Sequence, residues 1–204
     1  MYKRQVWADL EDIPQYVQDA FVYTEDERFY SHDGVDFKRT FASFVNVFIP
    51  IYGGRQIGGS TITQQTIKNI TGDDSRDSIH GIERKIREIF RSINVEKTYT
   101  KEDILQSYLN LVPLTTQEYD IIGVQAAANF YFGKDVKDLN LAEAASLAGM
   151  TSWPAANNPY DNMKNNKLRQ KYTLDHMLDN GAISEQEYNE ALNLSLIHIS
   201  EPTR

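Results

Sequence analysis

The sequence predicts a mostly α-helical protein, and three observations predict it. Apolar residues recur at helical spacing in one segment after another, helix-capping signatures stand ahead of several of these segments, and the alternation that marks a half-buried strand is scarce. Residues 13–27 read as a helix opened by Pro14, whose missing N–H costs nothing in a first turn. Residues 35–48 carry Phe37, Phe41, Phe44, Val45 and Phe48 on one face. Gly53, Gly54, Gly58 and Gly59 make 49–59 a loop, and a helix over 61–69 follows with Ser60 as its expected N-cap. After a polar loop at 72–78, residues 82–95 place Ile82, Ile86, Ile89, Phe90 and Ile93 on one face, expected to be the buried one. Thr100 with Asp103 three residues on opens a helix bearing Ile104, Leu105, Tyr108 and Leu109. An Ala-rich helix is expected over 121–131, and Asn140 caps another over 141–149. A helix over 168–180 is stopped by Gly181, and Ser184 with Glu187 forms a capping box for 184–192. Residues 193–204 carry no amphipathic pattern and read as a tail apart from the fold.

Composition narrows the function. With 204 residues, 41% hydrophobic and 25% charged, the chain can bury one sizeable core. Zero cysteines exclude a disulfide scaffold, a thiolate nucleophile and a Cys-based zinc site. A net charge of −8 argues against broad nucleic-acid binding. The most apolar run, 40–54, is shorter than the roughly 20 residues a membrane span needs and contains Pro50. The chain is therefore expected to be either soluble or a piece lacking its anchor.

Three clusters could carry chemistry. The first, Glu25-Asp26-Glu27-Arg28-Phe29-Tyr30-Ser31-His32-Asp33-Gly34, sets three carboxylates at a helix C-terminus, where the macrodipole disfavours them. It reads as a solvated, partly paired helix end or as a poised base with a supporting histidine. In the second, glycines precede Ser60, Thr61, Gln64, Gln65, Lys68 and Asn69: neutral donors and one cation at a helix start, suited to sugar hydroxyls and phosphate oxygens. The same residues fit a plain capped helix, and the GKS/T ending of a nucleotide-binding loop is missing. The third places Arg84 and Glu88 one helical turn apart with Lys85 beside them. Seven basic against four acidic residues lie between Arg76 and Lys101, a local reversal of the overall charge that suits a phosphorylated ligand or an ordinary exposed helix.

Taken together these segments resemble the family 51 peptidoglycan glycosyltransferases, the transglycosylase domains of class A penicillin-binding proteins and of monofunctional enzymes. E-D-x-x-F-x-x-H-x-G is met by Glu25, Asp26, Phe29, His32 and Gly34; G-x-S-T-I-x-Q-Q by Gly58, Ser60, Thr61, Ile62, Gln64 and Gln65. R-K-x-x-E is met by Arg84, Lys85 and Glu88, and I-L-x-x-Y-L-N by Ile104, Leu105, Tyr108, Leu109 and Asn110. A fifth stretch runs from Tyr131-Phe132-Gly133-Lys134 to Leu141, Glu143 and Gly149. After Asn110 the sequence departs from the family pattern, reading Leu111-Val112-Pro113-Leu114.

The resemblance implies a lysozyme-like large lobe with a smaller mobile jaw at about 35–75, both within a catalytic domain at 1–192. It implies that lipid II is polymerised with inversion at the anomeric carbon and release of undecaprenyl diphosphate. Glu25 would be the general base and Glu88 the second essential glutamate. Asp26, Phe29, His32, Ser60, Thr61, Gln64, Gln65, Lys68, Asn69, Arg76, Arg84, Lys85 and Asn110 would bind substrate, and a divalent metal (Mg or Mn) near Glu88 is compatible. Expected partners are lipid II, lipid-linked glycan, the extracytoplasmic membrane surface touched by the apolar 41–52, and a fused transpeptidase domain in a longer protein. The alternatives are a lysozyme-like hydrolase and a non-catalytic lipid II-binding module.

Overall fold

A computed structural model of the chain describes residues 4–40, 42, 59–72 and 78–194. The helices in chain order are α1 (Gln15–Glu25), α2 (Ile62–Thr71), α3 (Ser78–Glu96), α4 (Lys101–Leu111), α5 (Val124–Phe132), α6 (Leu141–Gly149), α7 (Pro154–Asn157), α8 (Met163–Asp179) and α9 (Glu185–Asn193). One further helical turn covers 37–40. The mostly helical class expected from the apolar spacing holds. Among the described residues the only sheet is a two-residue parallel pair, β1 (Arg4–Gln5) against β2 (Ile121–Ile122). The chain divides into two compact units, Met1–Thr24 with Leu109–Arg204, and Glu25–Tyr108. The jaw expected at 35–75 falls inside the second unit, and its apolar 41–52 lies outside the described residues, except Ala42. So do the loop glycines Gly53, Gly54 and Gly58, and residues 195–204 of the tail.

In the first unit α1 starts one residue after Pro14, whose carbonyl accepts the N–H groups of Val17 (2.9 Å) and Gln18 (3.2 Å). It buries Val17, Ala20 and Phe21 in a core shared with Leu114, Val124, Tyr131, Leu147, Leu174 and Met177. The helix expected over 121–131 is split: Ile121–Ile122 pairs as a strand and Gly123, at φ 86, turns the chain into α5. Two apolar residues look alike in a strand and a helix by periodicity alone, and only the partner strand decides. The atypical segment after Asn110 packs inward, with Val112 and Leu114 buried and the Leu114 carbonyl accepting from the Tyr131 hydroxyl at 2.9 Å.

Asn140 caps α6 as expected, in a box completed by Glu143. The buried Glu143 also takes Lys134 at 2.7 Å, which ties the end of α5 to the start of α6. α8 begins five residues before the expected 168, capped by Asn162. Its first turns are polar and carry no apolar period, yet Asn166 is fully buried and donates to the carbonyls of Ser146 and Asn157. The capping box of Ser184 with Glu187 opens α9 as expected.

Asn110 has a structural place in this unit. It is fully buried, its Oδ1 accepts the Ala8 N–H and its Nδ2 donates to the Ala8 carbonyl, both at 2.8 Å. Both polar atoms of its amide thus bind backbone of Ala8, which gives Asn110 a structural role. Asn110→Ala strands two buried backbone groups, and a loss of about 2–5 kcal/mol of unfolding free energy is expected. Urea denaturation of the variant measures it.

Candidate active site

The chemistry-bearing residues gather in the second unit. Glu25 ends α1 half-buried, and its Oε2 accepts from Gln65 Nε2 on α2 at 2.7 Å. Arg39 donates to the Glu25 backbone carbonyl. Asp26 is fully buried; its carboxylate accepts the N–H of Ile62, the first residue of α2, at 3.0 Å and holds His32 Nε2 at 3.0 Å. An acid that the C-terminus of α1 disfavours is therefore stabilised by the N-terminus of α2. This explains how Asp26 can stand at a helix end that disfavours an acid.

The loop after Asp26 is braced from below. Phe29 is buried, Lys101 Nζ sits 4.5 Å from its ring centroid, and the same ammonium donates to the His32 carbonyl at 2.6 Å and pairs with Glu96. Gly34 is at φ +85, and a Cβ there would stand 2.6 Å from the Ser92 carbonyl carbon and oxygen on α3, so only glycine lets the loop lie on that helix. Arg28 grips Asp36 with two bonds of 2.6 and 2.9 Å. Burial works to raise the Asp36 pKa, but the Arg39 N–H and the Arg28 guanidinium hold it below the usual carboxylate value. Burial first, and the charges of Glu25 and Asp26 second, push the hydroxyl of the buried Tyr108 well above its ordinary value, so it stays neutral beneath the acids.

The N-cap of α2 is Thr61, a correction to the expected Ser60. Thr61 has extended φ and ψ, its side chain accepts from the Gln64 N–H, and Gln64 returns the bond to the Thr61 N–H at 3.0 Å. Ser60 is thereby free to face α3, where its Oγ accepts from Lys85 Nζ at 3.0 Å. Lys85 also reaches Gln64 Oε1 at 3.4 Å and Glu88 Oε1 at 2.6 Å, while Arg84 Nη1 takes Glu88 Oε2 at 3.1 Å. Glu88 is 7% exposed and is shared by two cations.

The expected burial of the apolar face of α3 holds only in part, for Ile89 and Ile93 are half-buried. Its polar side, with Arg84, Lys85, Glu88 and the buried Ser92, meets α2 and the Gly34 loop, whereas Ile86 and Phe90 are 49% and 64% exposed. The polar face goes inward because Ser60, Gln64 and the cations satisfy one another there, which removes the cost of burying them.

A cleft along the two helices is lined by Ile67, Lys68 and Thr71 from α2 and by Arg84, Glu88 and Arg91 from α3. The two glutamates meet at α2: adjacent Gln65 and Gln64 touch Glu25 and, through Lys85, Glu88. Of the other residues singled out in the sequence, Asp26, Phe29, Thr61 and Gln64 are buried and build the scaffold. Ser60, Gln65, Asn69, Arg84 and Lys85 are half-buried and Lys68 is exposed on α2. Arg76 lies outside the described residues. Sequence reasoning missed Arg39, Glu96 and Lys101, which act from separate helix ends and leave no local pattern.

Among the described residues no three His, Asp or Glu side chains converge, and the two oxygens of Glu88 accept from Arg84 and Lys85.

A family model described as Transglycosylase matches residues 1–178. Penicillin-binding protein 1A of Clostridium botulinum (strain Langeland / NCTC 10281 / Type F) is 41% identical over 197 residues, covering 93% of this chain and 23% of that protein. Penicillin-binding protein 1A/1B of Bacillus subtilis (strain 168) is 35% identical over 195 residues, covering 95% and 20%. Among solved structures, Penicillin-Binding Protein 1A from Haemophilus influenzae superposes with a TM-score of 0.56 at 25% identity, over 95% of this chain and 18% of that one. The likeness shows the lysozyme-like, mostly helical fold. The chain spans less than a quarter of the length of these relatives.

Proposed function

The chain belongs to the transglycosylase family, and from that premise we propose that it is a peptidoglycan glycosyltransferase that joins lipid II units into glycan. The observation that carries the reading is the pair Gln64 and Gln65, which set one acid, Glu25, on one side of α2 and a cation-bound acid, Glu88, on the other. Glu25 takes the proton of the acceptor sugar 4-hydroxyl as its oxygen attacks the donor anomeric carbon. The bond from that carbon to the diphosphate oxygen breaks on the opposite face, so the configuration inverts, as in inverting sugar chemistry where water is the nucleophile. The departing diphosphate carries the bonding pair away and gathers negative charge. Lys68, Arg84 and Lys85 meet that charge. Glu88 acts through them, fixing Lys85 and Arg84 rather than touching the sugar.

The substrate is lipid-linked, and the second unit offers apolar contact for a membrane surface. Phe37 and Ile70 are each 65% exposed, alongside Ile86 and Phe90. No helix among the described residues is long and apolar enough to cross a membrane. On this reading the protein works at the extracytoplasmic face of a bacterial membrane, and its longer relatives leave room for a fused transpeptidase domain.

Incubation with purified lipid II tests the reading. Lengthened glycan and released undecaprenyl diphosphate are expected. Cutting of preformed cell wall without polymer would transfer the chain to the hydrolases, and tight lipid II binding with no turnover would make it a binding module.

A further inference from the structure

Arg91 belongs to none of the motifs, yet it lines the cleft with Lys68 and Arg84. Arg84, Glu88 and Arg91 stand at i, i+4 and i+7 on α3 and so share one face of the helix. The carboxylate of that face, Glu88, is already divided between Lys85 and Arg84. Arg91 makes no hydrogen bond or ion pair among the described residues. Arg87, one turn earlier and outside the cleft, has Glu83 opposite it at 4.0 Å. The buried Arg84 Nε likewise has no hydrogen-bond partner among the described residues.

Arg84 and Arg91 bring two guanidinium groups to a cleft whose lining holds a single carboxylate, Glu88, and like charges gathered there repel one another. A bound polyanion turns that repulsion into attraction, and the planar fork of an arginine matches phosphate oxygens two at a time. We propose that Arg91 is a further phosphate-binding residue of this cleft, holding the diphosphate of a lipid-linked sugar together with Lys68 and Arg84 and setting its affinity rather than the rate of the chemical step. The proposal rests on the glycosyltransferase reading above. It adds a cation that the motifs do not mark, placed at the end of the cleft beyond Glu88.

The test compares Arg91→Ala, Arg91→Lys and Arg84→Ala with the parent chain, by calorimetric titration with inorganic diphosphate at two salt concentrations and by steady-state polymerisation of lipid II. Arg91→Ala is expected to weaken diphosphate binding and raise KM about tenfold, the size of one charge-assisted hydrogen bond, with kcat changed less than about twofold. Its binding becomes less sensitive to salt, and Arg91→Lys recovers part of the affinity. Arg91 is exposed, so circular dichroism and melting should match the parent. Unchanged binding and KM in Arg91→Ala, or a fall in kcat at constant KM, overturns the proposal. If Arg84→Ala nevertheless weakens binding, the diphosphate reading of the cleft stands without Arg91. If Arg84→Ala also leaves binding untouched, that reading falls as well.

Discussion

Glu25→Gln is expected to lower the rate of lipid II polymerisation by about 100-fold to 10,000-fold, the usual span for loss of a positioned general base. The substitution keeps the size and one acceptor oxygen of the side chain, so the bond from Gln65 Nε2 survives and the loop is not disturbed. What it removes is the capacity to accept a proton. Glycan length distribution and released undecaprenyl diphosphate give the rate, and inorganic diphosphate titration gives the binding. A variant that binds diphosphate as the parent does but polymerises at the parental rate would show that the proton goes elsewhere.

Glu88→Ala carries the second large effect, by a different route. Lys85 and Arg84 lose the carboxylate that holds both, at 2.6 and 3.1 Å, and two cations fixed side by side are left to repel and swing outward. Misplacing a charge-stabilising group by about 1 Å is enough to cost about 100-fold, and a drop in kcat/KM of that order is expected. Glu88→Gln retains an acceptor for one cation and turns an amide toward the other, so it should fall between the parent and the alanine variant. This graded order separates a positioning carboxylate from a proton-transfer carboxylate. For Glu25 the amide variant is expected to be nearly as inactive as alanine.

The sorting of the motif residues has a physical logic. Asp26 and Thr61 are buried and fully used inside the protein, Asp26 by Ile62 N–H and His32, Thr61 by Gly34 and Gln64. They are needed so that Glu25, Gln65, Lys68 and Arg84 can stand where a substrate could meet them. Gly34 belongs with the scaffold for the same reason, since any Cβ would strike the Ser92 backbone.

Much of this was legible in the chain. The capping boxes at Asn140 and Ser184 are properties of four consecutive residues, and the cap chosen by Thr100 with Asp103 is seen in their bonds of 3.0 and 3.1 Å. Periodicity located α3 and α4, and the order of short motifs pointed to one family. Propensity could not locate the start of α8, because Asn166 earns its place through partners on Ser146 and Asn157.

Local spacing thus determined which segments are helical, where several of them begin, and which residue types are available for acid–base and phosphate chemistry, because helix formation and capping depend on neighbours within about four residues. Tertiary structure alone decided that Ile121–Ile122 is a strand, that Asn110 serves Ala8, and that α3 turns its arginine, lysine and glutamate inward with Phe90 outside. Those outcomes depend on partners far along the chain: a polar face can be buried only where another segment supplies its hydrogen bonds, and no window of sequence contains both sides of that exchange.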